Sequence, residues 1–132
     1  MSVQFMKCNV CGQTAMIIDD TGMDLICCGK IMDELRPNAV DAIYEKHIPF
    51  IKINGDKVYI RIGSEDHPMT DKHYIKWIIL ETNMGKMERK LKPGDDPVAC
   101  FRLNKGEWPV AAYAYCNIHE LWYKEASNEK NN

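Results

Sequence analysis

Two clusters of potential metal ligands stand out in this chain of 132 residues. The first holds four thiols. Cys8-x-x-Cys11-Gly12 has the spacing of a metal-binding knuckle: two cysteines three apart can turn both sulfurs to one point, and the glycine supplies the turn. Cys27-Cys28-Gly29 should supply the other half. Adjacent side chains in a regular strand point to opposite faces, so both thiols reach one ion only if the backbone leaves strand geometry there, which Gly29 would help. A tetrahedral site of four sulfurs suits zinc or iron, and a structural zinc ribbon satisfies this segment as well as an iron centre does.

The second cluster is the full set of histidines, His47, His67, His73 and His119, with Cys116 in CxxH spacing before the last. All four lie at the ends of expected elements or in loops, where sites concentrate. Five nitrogen and sulfur donors exceed the four at which structural zinc closes. Blue copper, with two histidines, a cysteine and a weak axial methionine, is a rival; no methionine follows His119. On iron, five such donors would leave one octahedral position open beside a thiolate, a place for inner-sphere redox chemistry.

The elements that must position these residues fall in two parts. Residues 1–36 hold four of the cysteines and too little apolar surface to fold without a staple. Pro37 and Asn38 mark a boundary. From Ile48 on, "IPFIKI", "KVYIRIG", "HYIKWIILE", "KMERKL", "VACFRL" and "VAAYAY" are short and rich in β-branched and aromatic residues, which suggests an antiparallel sandwich or barrel. Asn54-Gly55-Asp56 reads as a hairpin turn. Tyr113 and Tyr115 alternate with alanines as one face of a strand, Cys100 reads as a buried strand thiol, and Trp77, Trp108 and Trp122 are expected to pack the sandwich. The tail from residue 127 is polar.

Composition excludes several classes. A net charge of −2 offers no footprint for nucleic acid or an anionic membrane. No apolar run approaches the roughly 20 residues of a membrane span, and the first residues lack the pattern of a secretory signal. The expected location is the cytoplasm, where clustered thiols bind metal rather than form disulfides.

The motifs "CNVCG", "LICCGK", "EKHIPF", "GSEDHPMTDKHYIKWI", "LKPGDDP" and "YCNIHELW", in that order, closely resemble the desulfoferrodoxin family of two-iron superoxide reductases, from about Lys7 to Tyr123. The resemblance implies an all-β chain: a rubredoxin- or desulforedoxin-like domain over 1–37, stapled by metal, then an immunoglobulin-like antiparallel β-sandwich over 38–126. It implies two irons. Cys8, Cys11, Cys27 and Cys28 would hold one in a tetrahedron. His47, His67, His73 and His119 would form the equatorial plane of the other, with Cys116 axial and the opposite position open. Glu45 and Lys46 match the two residues that the family sets beside that position. The implied activity is one-electron reduction of superoxide to hydrogen peroxide without release of dioxygen. A rubredoxin-like electron donor and a homodimer are implied with it.

Overall fold

A computed structural model of the chain describes residues 3–39 and 44–126, with side chains from Lys46 onward in the second stretch. The chain divides into two compact units, Met1–Arg36 and Pro37–Asn132. The polar tail expected over 127–132 and the side chain of Glu45 lie outside the described residues.

The first unit is built from five short strands: β1 (Gln4–Lys7), β2 (Thr14–Ile17), β3 (Ile26–Cys27), β4 (Lys30–Ile31) and β5 (Asp33–Glu34). They form a three-stranded sheet in the order β2-β1-β5 and a separate β3-β4 ribbon. Its buried apolar side chains are Val3, Phe5, Cys8, Met32 and Leu35. That is a very small core for a folded unit, so cross-links must supply much of its stability.

The second unit opens with a single helical turn, Tyr44–His47. Seven strands follow: β6 (Pro49–Asn54), β7 (Lys57–Ile62), β8 (Ile75–Thr82), β9 (Gly85–Lys90), β10 (Val98–Arg102), β11 (Pro109–Cys116) and β12 (Glu120–Glu125). A three-stranded antiparallel sheet, β10-β7-β6, and a four-stranded one, β12-β11-β8-β9, make up the sandwich. The expected hairpin is present: Asn54 pairs with Lys57, and Gly55 turns the chain with φ of 63°. Alternation decides which residues enter the core. Val58, Ile60 and Ile62 of β7 face Ile78 and Leu80 of β8, Ala99 and Phe101 of β10, and Ala112, Ala114 and Cys116 of β11. Because Ala99 and Phe101 point inward, Cys100 between them points out; it is exposed, not the buried thiol expected. Trp122 is fully buried and Trp77 partly so, but Trp108 is 56% exposed in the loop before β11 and does not pack the sandwich.

Both faces of β11 are covered. Its alanines face the core, while Tyr113 donates a hydrogen bond to Glu81 (2.9 Å) and Tyr115 stacks on Trp77 (5.5 Å between centroids). The β8–β11 ladder is interrupted near both ends: Lys76 is skipped between Trp77 and Ile75, and Val110 between Pro109 and Ala111. The first of these bulges returns Ile75 to the same side as Cys116, at the end of the sandwich where the histidines lie. Among the described residues no helix is long and apolar enough to cross a membrane.

The other end of the sandwich is closed by Glu107. Its carboxylate accepts from Asn104 N–H (2.9 Å) and from the Thr82 hydroxyl (2.5 Å). These donors, the Asn104 amide first, hold its pKa below the ordinary carboxylate value. A lowered folded-state pKa gives stability that is present above the ordinary carboxylate range and lost as pH falls through the lowered value. Glu107→Gln is therefore expected to melt at a lower temperature than wild type at neutral pH, with the gap closing on acidification. Thermal unfolding as a function of pH checks this, and a gap independent of pH would contradict it.

Candidate metal centres

In the first unit, β1 and β2 are joined by a loop that holds Cys8 and Cys11. Cys8 N–H donates to the Gln13 carbonyl and Gly12 N–H to the Cys8 carbonyl, both at 2.9 Å, and Gly12 takes a φ of 83°. The second pair uses a different device. Cys27 pairs with Lys30, so Cys28 and Gly29 form a two-residue hairpin loop. Both have positive φ, 54° and 74°, as a type I′ turn requires. This is how neighbouring cysteines converge: Cys27 points from a strand and Cys28 from a left-handed turn position.

The four sulfurs lie within 4.8 Å of one another. Cys11 and Cys27 are 3.6 Å apart, and Cys27 and Cys28 4.0 Å. Sulfurs bound at the usual metal–thiolate distance on a tetrahedron are about 3.8 Å apart, whereas a disulfide needs about 2.05 Å. The spacing fits a metal. The electrostatics fit as well. Backbone N–H groups of Cys11 and Val10 donate to Cys8 and lower its pKa to about 6. Hydrogen bonding to Cys8 and Cys11 pushes Cys27 up to about 12, and Cys28 is raised, chiefly by Cys11. Four packed thiols cannot all ionise unless a cation sits among them.

In the second unit the four imidazoles form a closed ring. Neighbouring centroids are 4.6 Å (His47–His67), 4.7 Å (His67–His73), 5.2 Å (His73–His119) and 4.8 Å (His119–His47), each pair near perpendicular. His47 and His73 face each other across the ring at 6.3 Å. Each comes from a different place. His47 ends the helical turn, His67 and His73 lie in the loop between β7 and β8, and His119 lies in the turn between β11 and β12. That turn, 117–119, is closed by Glu120 in the left-handed region with φ of 63°, a conformation costly for a residue with a Cβ. Cys116 ends β11, with its sulfur 3.8 Å from His119 Nδ1.

His47 Nε2 lies 3.2 Å from His67 Nε2 and 3.0 Å from His119 Nδ1. Adjacent ligands in a square about 2.1 Å from a metal are about 3.0 Å apart. Donor atoms of His47, His67, His73 and Cys116 lie within 4.8 Å of one another. The ring tautomers suit a metal. The Pro68 carbonyl lies 2.7 Å from His67 Nδ1 and accepts a hydrogen bond from its N–H, which leaves Nε2 with the free lone pair. His73 Nε2 is buried with no hydrogen-bond partner. Such an atom needs either a donor or a cation.

Burial also favours the neutral form of His67 and His73. His67 falls to about 4, first through burial, against the opposing effect of the Pro68 carbonyl. His73 is lowered by burial first, then by the charges of His119 and Lys46. Burial raises the Cys116 thiol, while the backbone amides of His119 and Ile118 favour its anion. Lys46 is near enough for its charge to act on His73.

Trp122, expected only to fill the core, stacks on His47 at 4.6 Å, and its indole N–H donates to the His119 carbonyl at 3.0 Å. Asn117 and the Pro68 carbonyl also hold the ring and were not singled out by sequence reasoning. A proline or tryptophan beside a ligand looks the same whether or not it touches it, so the sequence carries no clear signal for them.

The family model described as desulfoferrodoxin matches residues 39–125. The chain belongs to the desulfoferrodoxin family. The desulfoferrodoxin of Syntrophotalea carbinolica is 43% identical over 119 residues, covering 90% of this chain and 93% of that one. The crystal structure of the superoxide reductase from Treponema pallidum superposes with a TM-score of 0.80 at 29% identity, over 95% of this chain and 100% of that one. The superoxide reductase (1Fe-SOR) from Giardia intestinalis is 39% identical with a TM-score of 0.50, over 62% of this chain and 99% of that one. The four-thiol group and the group of three histidines with Cys116 fit the two irons of a desulfoferrodoxin.

The two groups draw on separate units, so they should lose metal independently. His73→Ala, at the nitrogen left without a partner, is expected to drop iron content from about two per chain to about one. Absorption of the four-thiolate iron should stay unchanged. Elemental analysis with visible spectroscopy reads both; simultaneous loss of both irons would show that the centres depend on each other.

Proposed function

We propose that this protein is a superoxide reductase, taking superoxide, one electron and two protons to hydrogen peroxide with no dioxygen released. The observation that carries the reading is the ring of four imidazoles with a thiolate beside it. The residues that would hold an iron there are His47, His67, His73, His119 and Cys116. The names of the Treponema and Giardia proteins support the same chemistry. Iron held by these residues would supply the electron.

The chain's own residues do the rest. His67 and His73, held neutral by burial, add no positive charge that would resist a bound cation. The His119 and Ile118 amides stabilise the Cys116 thiolate. Lys46 draws the anionic substrate and orders water for proton delivery. Electrostatic attraction of this kind acts on the rate of encounter more than on affinity. Glu45, on the same helical turn, is assigned as the second charged residue of the site.

The remaining features follow from the same reading. Residues 1–37 are a desulforedoxin-like domain whose four-thiolate iron at minimum staples its fold and, with a rubredoxin-like donor, relays electrons. Four exposed apolar side chains of this unit, Ile18, Met23, Ile26 and Ile31, support a homodimer. The cytoplasm, where thiols stay reduced, suits both centres.

The test is the yield of peroxide with iron-loaded protein and excess reductant. One peroxide per superoxide is expected. One peroxide per two superoxides, with dioxygen released, would mean dismutation, and no consumption of superoxide would leave a carrier of electrons. In the same assay Lys46→Ala should lower the second-order rate roughly tenfold and flatten its dependence on ionic strength. An unchanged salt dependence would remove Lys46 from the mechanism.

A further inference from the structure

The residue that follows each of the two central strands is an asparagine: Asn83 after β8 and Asn117 after β11. The two make the same three hydrogen bonds. Asn117 N–H donates to the Tyr74 carbonyl (3.1 Å), Asn117 Oδ1 accepts from Tyr74 N–H (2.9 Å), and Asn117 Nδ2 donates to the Lys72 carbonyl (3.0 Å). Asn83 N–H donates to the Trp108 carbonyl (3.2 Å), Asn83 Oδ1 accepts from Trp108 N–H (2.7 Å), and Asn83 Nδ2 donates to the Gly106 carbonyl (3.1 Å). In each case the partners are the residue just before the opposite strand and the residue two earlier. The side-chain amide copies a peptide group and carries the β8–β11 ladder one step past the point where the main chain turns away.

What the two clips hold is different. Asn83 closes the end of the sandwich that contains no histidine. Asn117 lies next to Cys116 in the chain, and its partners Lys72 and Tyr74 flank His73. His73 is pinned from its other side by Thr70: the two exchange backbone hydrogen bonds (2.9 and 3.2 Å), and the Thr70 hydroxyl reaches both His73 N–H and the His73 carbonyl. The loop that carries His73 is thus fixed to the turn that carries Cys116 and His119 through one exposed amide side chain. Bonds across 43 and 45 residues of sequence meet at that side chain.

We propose that Asn117 is a positioning residue: its amide sets His73 against Cys116 and thereby sets how strongly the thiolate bears on the metal. The inference rests on the reading of this cluster as an iron–thiolate centre. Asn83 provides the internal control, because it has the same chemistry and the same hydrogen bonds at the end without ligands.

The experiment compares full-length, iron-loaded Asn117→Ala, Asn117→Asp and Asn83→Ala. Thermal unfolding, the energy of the thiolate-to-iron absorption in the ferric protein and the midpoint potential of that iron are read for each. Both alanine variants should lose thermal stability to a similar degree. Only Asn117→Ala should shift the absorption and raise the potential, since a thiolate held less well stabilises the ferric state less. Asn117→Asp keeps the acceptor for Tyr74 N–H and loses the donor to Lys72, so its shift should fall between wild type and alanine. An Asn117→Ala protein with wild-type absorption and potential would overturn the proposal, as would an equal shift in Asn83→Ala. If Asn117→Ala does not fold, Asn117→Asp decides: wild-type absorption and potential there would also overturn it. Absence of any thiolate absorption in iron-loaded wild type would instead overturn the metal reading, and the role of the clip with it.

Discussion

The pairing of β8 with β11 is the interaction on which the sandwich depends. These strands supply Ile75, Ile78, Leu80, Ala112, Ala114 and Cys116 to the core, and they fix the height at which the ladder ends. At that end the loop before β8 brings His67 and His73, and the turn after β11 brings Cys116 and His119. A slip by one residue would turn every side chain of β11 to the opposite face and remove Cys116 from the ring. The register is protected because both faces of β11 are buried, with small alanines on one side and hydrogen-bonded or stacked tyrosines on the other. Apolar packing sets where the ligands stand, and hydrogen bonds to the Pro68 carbonyl, with Asn117 and from Trp122 set how they are turned.

The other unit solves a different problem. With five buried apolar side chains among its described residues, it cannot offset the conformational entropy of its chain by burial alone. Four thiolates around one ion replace the core that such a short segment lacks. The two groups thus stand in opposite relations to their folds: in the sandwich a large core places the ligand residues, and in the first unit four clustered thiols stand beside a very small core.

The sequence made most of this legible. Five of the seven sandwich strands follow runs of β-branched and aromatic residues, β9 follows the short polar run "KMERKL", and the clustered thiols and histidines show through residue type and spacing. Other features needed coordinates. The strands of the first unit are two to four residues long, too short for any period to register. β12 mixes polar and apolar residues because only part of it is covered. The exposure of Cys100 depends on which parity of "VACFR" faces inward, and alanine and cysteine give no preference between faces. Trp108 looks like core by type, yet it sits in a loop. Asn117 shows only as a polar residue in a turn, since its two partners, Lys72 and Tyr74, lie more than 40 residues earlier in the chain.

The turn formed by Cys28 and Gly29 has a consequence for the life of the protein outside its reduced state. It places two exposed thiols, Cys11 and Cys28, on either side of Cys27, with sulfurs closer than 4.8 Å and open to solvent. While a metal shares them, their lone pairs are engaged. Once it leaves, a low-pKa thiol at Cys8 and three neighbours within easy reach form a ready precursor of mispaired disulfides. The geometry that lets adjacent cysteines grip one ion makes demetallation under air hard to reverse.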